Sequence, residues 1–163
     1  MSSFKNPPKY IKYTITKPKL PKSIIFCSRN SLRDHVEAGY SNDSMMTIEN
    51  GIDLDLFRPK NHSQDSLRKE IGLSPQSQVV GLVGRFDPIK NHLGFLNSAE
   101  KIASAFPKVI FVLVGDGVTS SNERLMNAIK QRNLEQKFRL LGGRRDIQNL
   151  MQIFDVLVSA SFG

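Results

Sequence analysis

Two cationic side chains, Arg85 and Lys90, have the residue types and the spacing of a phosphate-binding site. Arg85 directly follows an apolar run, and Lys90 lies five positions later, just before a helical pattern. Arginine presents a planar fork of N–H donors to phosphate oxygens and lysine presents a mobile point charge, so together they could bind a diphosphate. Cations that only keep a surface soluble have the same residue types, and these two residues alone leave that alternative open.

The segments around these cations alternate between strand and helix patterns. Apolar strand patterns recur four times, at residues 79–83, 109–114, 138–141 and 156–159. The helices between them are predicted to begin after an Asn91 cap, in a capping box from Ser120 to Glu123, and after an Asp146 cap. This repeated order predicts a Rossmann-like α/β fold with a parallel sheet, its strands in the order third, second, first, fourth.

The preceding residues carry weaker patterns. Residues 1–22 are rich in proline and lysine and predict an irregular arm. Short strands are predicted at 23–28 and 45–48, with a helix at 30–38 that Gly39 ends. A linker of loops is predicted from the turn pair Asn50-Gly51, through Pro59, to about Ser77.

Ligands of an open parallel sheet bind outside the carboxyl ends of its strands, where helix N-termini present free N–H groups. Gly84 and Arg85 follow the first predicted strand, Gly115 follows the second, and Arg144 comes shortly after the third. These four residues should therefore face the same edge as Lys90. The sheet thus predicts an anion site at this edge.

Several spaced motifs resemble retaining family 4 glycosyltransferases of the GT-B type. Residues 81–91, GLVGRFDPIKN, are similar to the opening of that family's C-terminal domain, in which the arginine and lysine hold the donor diphosphate. Further similarity lies in the linker-like residues 47–53 and 57–59, in VLVGDG at 112–117, and in the final acceptor-domain strand at 25–28. The resemblance covers roughly residues 23–163 and keeps the motifs in the family order.

The resemblance implies roles for particular residues. Arg85 and Lys90 would be catalytic and would bind the nucleotide sugar together with Gly84 and Gly115. Arg144 would line the pocket for the base, which the matching family loop contacts mainly through its backbone. The nucleotide-diphosphate sugar would be a substrate, and no cofactor is expected.

The resemblance also implies a partial protein. Residues 1–50 are interpreted as a remnant of the acceptor domain, 51–77 as the interdomain linker, and 78–163 as the first half of the nucleotide-sugar-binding domain. Residues 159–163 begin like the family's Ser-x-x-Glu stretch, and the two donor-binding glutamates would follow them. We therefore expect the whole enzyme to transfer sugar to a glycan or lipid-linked acceptor with retention, and these residues alone to be inactive.

Two other functions remain open: a nucleotide-binding module without turnover and, less favoured, a nucleic-acid-binding protein that uses its basic arm. The net charge of +8 would attract any phosphate-bearing partner, including an anionic membrane face. Gly115-x-Gly117 lacks the third glycine of a dinucleotide fingerprint, because Ser120 takes its place. A metal site is not expected, since the histidines have no acidic or cysteine partner at ligand spacing: His35, His62 and His92.

The expected location is the cytoplasm, at the inner membrane face if the acceptor is lipid-linked. No apolar stretch reaches the roughly 20 residues of a membrane-spanning helix, and the N-terminus has no apolar signal core. The single cysteine, Cys27, excludes an intrachain disulfide.

Overall fold

The computed structural model describes residues 21–59 and 64–162, which form two compact units divided between Asp53 and Leu54. Most of the predicted irregular arm, residues 1–20, therefore lies outside the described residues, as does His62. None of the helices within the described ranges is long and apolar enough to cross a bilayer.

In the first unit, two short strands, β1 (Ile24–Phe26) and β2 (Met45–Thr47), pair in parallel. Helix α1 (Arg29–Glu37) lies between them in the chain. The helix begins where the Ser28 hydroxyl accepts a hydrogen bond from the Ser31 N–H at 3.1 Å. It ends before Gly39, whose φ of +94° suits a residue without a side chain. The predicted strands and helix of this segment are confirmed, with boundaries shifted by one or two residues.

The second unit contains the larger sheet. Its helices and strands, in chain order, are α2 (Asp65–Glu70), β3 (Gln78–Val83), α3 (His92–Ala105), β4 (Val109–Val114), α4 (Glu123–Lys130), β5 (Phe138–Leu140), α5 (Ile147–Leu150) and β6 (Val156–Val158). The sheet is entirely parallel and has the order β5-β4-β3-β6. This arrangement confirms the predicted Rossmann-like α/β fold and the predicted order of the four strands.

Both faces of the sheet are buried at its centre, on β4. On β4, Phe111 and Leu113 pack with residues of α3 and α4, while Val112 and Val114 belong to the core on the other face. All four are fully buried. A strand covered on both sides must be apolar throughout, which explains the continuous apolar run from Val109 to Val114.

The prediction of loops throughout the linker up to about Ser77 is wrong, because α2 forms within it. Leu67, Ile71 and Leu73 are buried in the same core cluster as Val79 and Val112. The helix has only six residues, and Gln64 at its N-cap makes no side-chain capping bond. Tertiary packing of its apolar side chains, rather than a local signal, therefore stabilises this helix.

Two predicted helix starts also need correction. Asn122, not Ser120, caps α4: its side-chain oxygen accepts a hydrogen bond from the Leu125 N–H at 3.1 Å. Asp146 precedes α5 but does not cap it with its side chain. That helix has only four residues and continues as a 3-10 turn, Met151–Ile153.

Candidate anion-binding site at the carboxyl edge of the sheet

The loops that follow β3 and β4 lie in direct backbone contact. The Gly84 N–H donates to the Val114 carbonyl at 2.8 Å, and the Phe86 N–H donates to the Asp116 carbonyl at 2.7 Å. Gly115 has a φ of +149°, and a Cβ placed on it would lie 2.2 Å from the Gly84 carbonyl oxygen. Only glycine can occupy this position without moving the backbone before Arg85.

Arg85 extends from this rigid backbone towards solvent. Its side chain is 65% exposed, and its Nε lies 3.3 Å from Oδ2 of Asp87. Asp87 also caps the 3-10 turn Pro88–Lys90, because its Oδ1 accepts a hydrogen bond from the Ile89 N–H at 2.9 Å. A single carboxylate thus holds the arginine and orders the turn that carries the lysine.

The electrostatics of Asp87 indicate that both cations lie near it. Its pKa is lowered, first by the Ile89 N–H, against an opposing effect of desolvation, and then by the hydrogen bond and charge of Arg85 and the charge of Lys90. Asp87 therefore stays ionised while it holds the loop.

Lys90 packs its aliphatic stem against Gly84. A Cβ placed on Gly84 would lie 3.5 Å from Cγ and from Cδ of Lys90. The structure thus brings Gly84, Arg85, Lys90 and Gly115 together at the carboxyl edge of the sheet, where the sequence placed them. An anion bound here would meet two positive side chains beside the helix that follows.

The N-terminus of α3 adds to this positive environment. Asn91 adopts a left-handed conformation with φ of 53°, and its side chain accepts a hydrogen bond from the Gly94 N–H at 3.2 Å. This confirms the predicted Asn91 cap. The 14 residues of α3 align their peptide dipoles so that the positive end lies beside Lys90.

Sequence reasoning missed His92, which it considered only as a metal ligand. This first residue of α3 is 1% exposed, and its Nε2 lies 3.1 Å from the Gly84 carbonyl oxygen. A carbonyl only accepts hydrogen bonds, so Nε2 carries the proton. Burial lowers the pKa of the imidazole, and the bond to Gly84 opposes this effect only in part. The one feature of the sequence that could have drawn attention to His92 is its position immediately after the helix cap Asn91.

Arg144 is engaged by two carboxylates. Its guanidinium donates two hydrogen bonds to Asp146, each 2.8 Å long, and a third to Glu70 Oε1 at 2.8 Å. The hydrogen bonds to Asp146 and Glu70 raise the pKa of Arg144, and the bond from Arg144 lowers the pKa of Asp146. In this arrangement Arg144 fastens the loop after β5 to α2, and its side chain is already occupied at the position predicted to line a base pocket.

The loop after β5 is also tied to the loop after β4. The Gly115 N–H donates to the Gly142 carbonyl and the Gly142 N–H donates to the Val118 carbonyl, both at 2.8 Å. A Cβ on Gly143 would lie 2.4 Å from Oδ1 of Asp116. Three consecutive strand ends therefore form one continuous backbone surface.

A separate cavity of about 410 Å³ lies among Phe57, Arg58, Gln64, Gln148 and neighbouring side chains. None of the residues that the sequence assigned to the anion site lines it. Volume alone does not make it the site of chemistry, and the converging charges lie elsewhere.

Comparison with known proteins places these features in a family. The family described as glycosyl transferases group 1 matches residues 63–162, so the chain belongs to this family. The chain is 39% identical over 121 residues to the UDP-Gal:alpha-D-GlcNAc-diphosphoundecaprenol alpha-1,3-galactosyltransferase of Escherichia coli. That match covers 70% of this chain and 30% of the relative, so the chain spans less than a third of the length of this curated protein.

Solved structures share the fold. Anabaena HepE in complex with UDP-glucose matches with a TM-score of 0.76 and 26% identity, over 88% of this chain and 39% of that one. A glycosyltransferase from Rickettsia africae ESF-5 matches with a TM-score of 0.74 and 24% identity, over 96% and 42% respectively. The likeness supports the predicted fold class, a part of a GT-B glycosyltransferase.

Proposed function

We propose that this chain carries the diphosphate-binding part of the donor site of a retaining family 4 glycosyltransferase. The observation that carries the proposal is the placement of Arg85 and Lys90 around Gly84 and Asp87, beside the N-terminus of α3. Two relatives support the nature of the donor: the Escherichia coli enzyme is named for UDP-Gal, and HepE was solved with UDP-glucose. The donor of this chain is accordingly a nucleotide-diphosphate sugar.

Leaving-group stabilisation is the chemistry that these residues would supply. As the bond between the sugar and the diphosphate breaks, negative charge grows on the diphosphate while the sugar becomes oxocarbenium-like. Arg85 and Lys90 stabilise that charge more in the transition state than in the ground state, which makes them catalytic. The diphosphate carries more negative charge than one carboxylate, so it displaces Asp87 from Arg85, while Asp87 keeps its bond to the Ile89 N–H.

The rest of the donor site consists of backbone. Gly115 allows the loop after β4 to approach Gly84, and Gly142 and Gly143 bring the loop after β5 alongside. Backbone N–H and C=O groups of these loops would contact the nucleotide. Because Arg144 is held by Glu70 and Asp146, it would order the base-binding loop instead of contacting the base itself.

The acceptor is proposed to be a glycan or a lipid-linked saccharide. The name of the Escherichia coli relative specifies a diphosphoundecaprenol-linked acceptor, and the net charge of +8 would favour an anionic membrane face. The whole enzyme would then act in the cytoplasm at the inner membrane face. The match covers only 30% of the Escherichia coli relative, so we expect these 163 residues alone to transfer no sugar.

Calorimetry with UDP, inorganic pyrophosphate and uridine tests the proposal. We expect UDP and pyrophosphate to bind more tightly than uridine, because the two cations recognise the phosphates. Equal affinity for uridine and UDP would contradict it. A nucleic-acid-binding function would instead be indicated by tight binding of single-stranded oligonucleotides, with a steep loss of affinity as salt rises.

A further inference from the structure

A buried side chain, that of His92, joins the two ends of the short loop that carries Arg85 and Lys90. His92 lies two residues after Lys90, and its imidazole binds the carbonyl of Gly84, one residue before Arg85. The bond from Nε2 to the Gly84 oxygen thus joins the two ends of the segment that carries both cations. The bond therefore restrains the backbone at both ends of the segment from which the two cationic side chains extend.

The other contacts of His92 favour a fixed ring. The imidazole is 1% exposed, and its ring lies 5.5 Å from the ring of Phe86, which belongs to the same loop. Nδ1 is buried and has no hydrogen-bond partner among the described residues. An apolar side chain would satisfy the burial equally well, so the histidine at this position is best explained by its one bond to Gly84.

The Gly84–Arg85 peptide is restrained on its other sides as well. Its N-terminal side is held by the Gly84 N–H to Val114, and the Gly115 backbone packs against the peptide plane. Without His92, the carbonyl of the half-buried Gly84 would lose this hydrogen bond, and the loss would favour rotation of the peptide. Arg85 is the residue directly after Gly84, so rotation of this peptide would change the direction of the Arg85 side chain.

We propose that His92 is a positioning residue of the diphosphate site: it orients the Gly84–Arg85 peptide and sets the separation of Arg85 from Lys90. This inference rests on the proposed function, because it assumes that the two cations bind a diphosphate. His92 itself does not touch the ligand. It acts through Gly84, so its loss should reduce phosphate affinity without changing nucleoside affinity.

The test compares His92→Leu with His92→Gln in the full 163-residue chain. Leucine fills space but donates no hydrogen bond, whereas the glutamine amide can place an N–H near the position of Nε2. By calorimetry, we expect His92→Leu to weaken pyrophosphate and UDP binding roughly three- to tenfold, the scale of one hydrogen bond, with uridine binding unchanged. His92→Gln should restore the affinity to within about twofold of the wild type.

Ile129→Val provides the control, because Ile129 is fully buried, as His92 is, but lies on α4. It should destabilise the fold and leave all three affinities unchanged. The inference is overturned if His92→Leu binds pyrophosphate as the wild type does, if His92→Gln fails to restore binding, or if Ile129→Val causes the same loss. A wild type without preference for phosphates would instead overturn the proposed function itself.

If His92→Leu does not fold, a measurement on the wild type tests the positioning role of His92 instead. Nitrogen NMR of the imidazole should show the tautomer protonated at Nε2, with that proton protected from exchange and its signal shifted when pyrophosphate binds. The opposite tautomer, or a signal that pyrophosphate leaves unchanged, would contradict the positioning role.

Discussion

A Cβ atom on Gly115 would lie 2.2 Å from the carbonyl oxygen of Gly84 and 2.7 Å from the backbone nitrogen of Arg85. The end of β4 therefore packs directly against the peptide that carries the arginine. No side chain separates the two loops at this point, and the φ of +149° at Gly115 is itself one that other residues rarely adopt.

Substitution of Gly115 by alanine should therefore both destabilise the protein and impair the anion site. The methyl group would force the Gly84–Arg85 peptide to move, and the backbone conformation would be strained. We expect the free energy of unfolding to fall by roughly 2–4 kcal/mol, with weaker pyrophosphate binding in the protein that remains folded. Urea unfolding and calorimetry measure the two effects.

Gly51→Ala is the control for that variant, since no atom lies within 4 Å of a Cβ there and its φ is not positive. It should change stability by less than about 1 kcal/mol and leave pyrophosphate affinity unchanged. If Gly115→Ala behaved in the same way as Gly51→Ala, the close packing of the two loops would be contradicted.

Because His92 is buried, we expect the folded protein to lose stability in mild acid. Burial lowers its folded-state pKa below the ordinary 6.5, so the unfolded chain takes up the proton first as the pH falls. The contribution of this group is fully present above pH 6.5 and declines as the pH falls through 6.5 towards the folded pKa. Asp87 and Asp146, with lowered pKa values, lose their contributions only below 3.8.

Urea unfolding of the wild type and of His92→Gln, between about pH 5 and pH 8, isolates this effect. Every other histidine is shared by the two proteins, so the difference between them reports on His92. The wild type should lose stability relative to His92→Gln as the pH drops below 6.5. A difference that stays constant over the range would mean that His92 titrates alike in both states.

The unpaired edge of strand β6 leads us to expect that the chain associates with itself. It pairs with β3 on one side and, within the described ranges, with no strand on the other, while Val156 and Leu157 are 53% and 51% exposed. An apolar strand with an unpaired edge is a template for pairing with another chain. We expect sedimentation to show concentration-dependent association that Leu157→Lys reduces.

Phe106→Lys is the control, because Phe106 is equally exposed, at 53%, but lies at the end of α3. It should leave the association unchanged. A chain that stays monomeric at high concentration, with hydrogen exchange as slow in β6 as in β3, would contradict an exposed edge.

The sheet was predictable because its signals are local. Val109 to Val114 is apolar without interruption, and Asn91 caps the helix that follows the cations, so the order of strands and helices follows from neighbouring residues. The same locality placed Arg85 and Lys90 on the correct edge. Short elements without such signals, above all α2, were missed because the core cluster that buries Leu67 includes residues far along the chain, such as Val112 and Leu150.

The contacts that tune the site were not predictable. Arg144 is held by Glu70, which lies 74 positions earlier and belongs to a helix that no pattern indicated. His92 binds a backbone carbonyl, and backbone acceptors leave no trace in the sequence. Long-range partners of this kind emerge only when the fold is known, which is why the sequence indicated neither the carboxylates that hold Arg144 nor a role for His92.

Removal of the two cations tests the central claim most directly. Arg85→Ala and Lys90→Ala should each weaken UDP binding by roughly 1.5–3 kcal/mol, the scale of a hydrogen bond to a charged group, while uridine binding stays unchanged. Lys101→Ala removes the same charge from an exposed position farther along α3 and should have little effect on either ligand. Calorimetry that found equal losses for UDP and uridine, or a loss in Lys101→Ala as large as in Arg85→Ala, would contradict a diphosphate site at the start of α3.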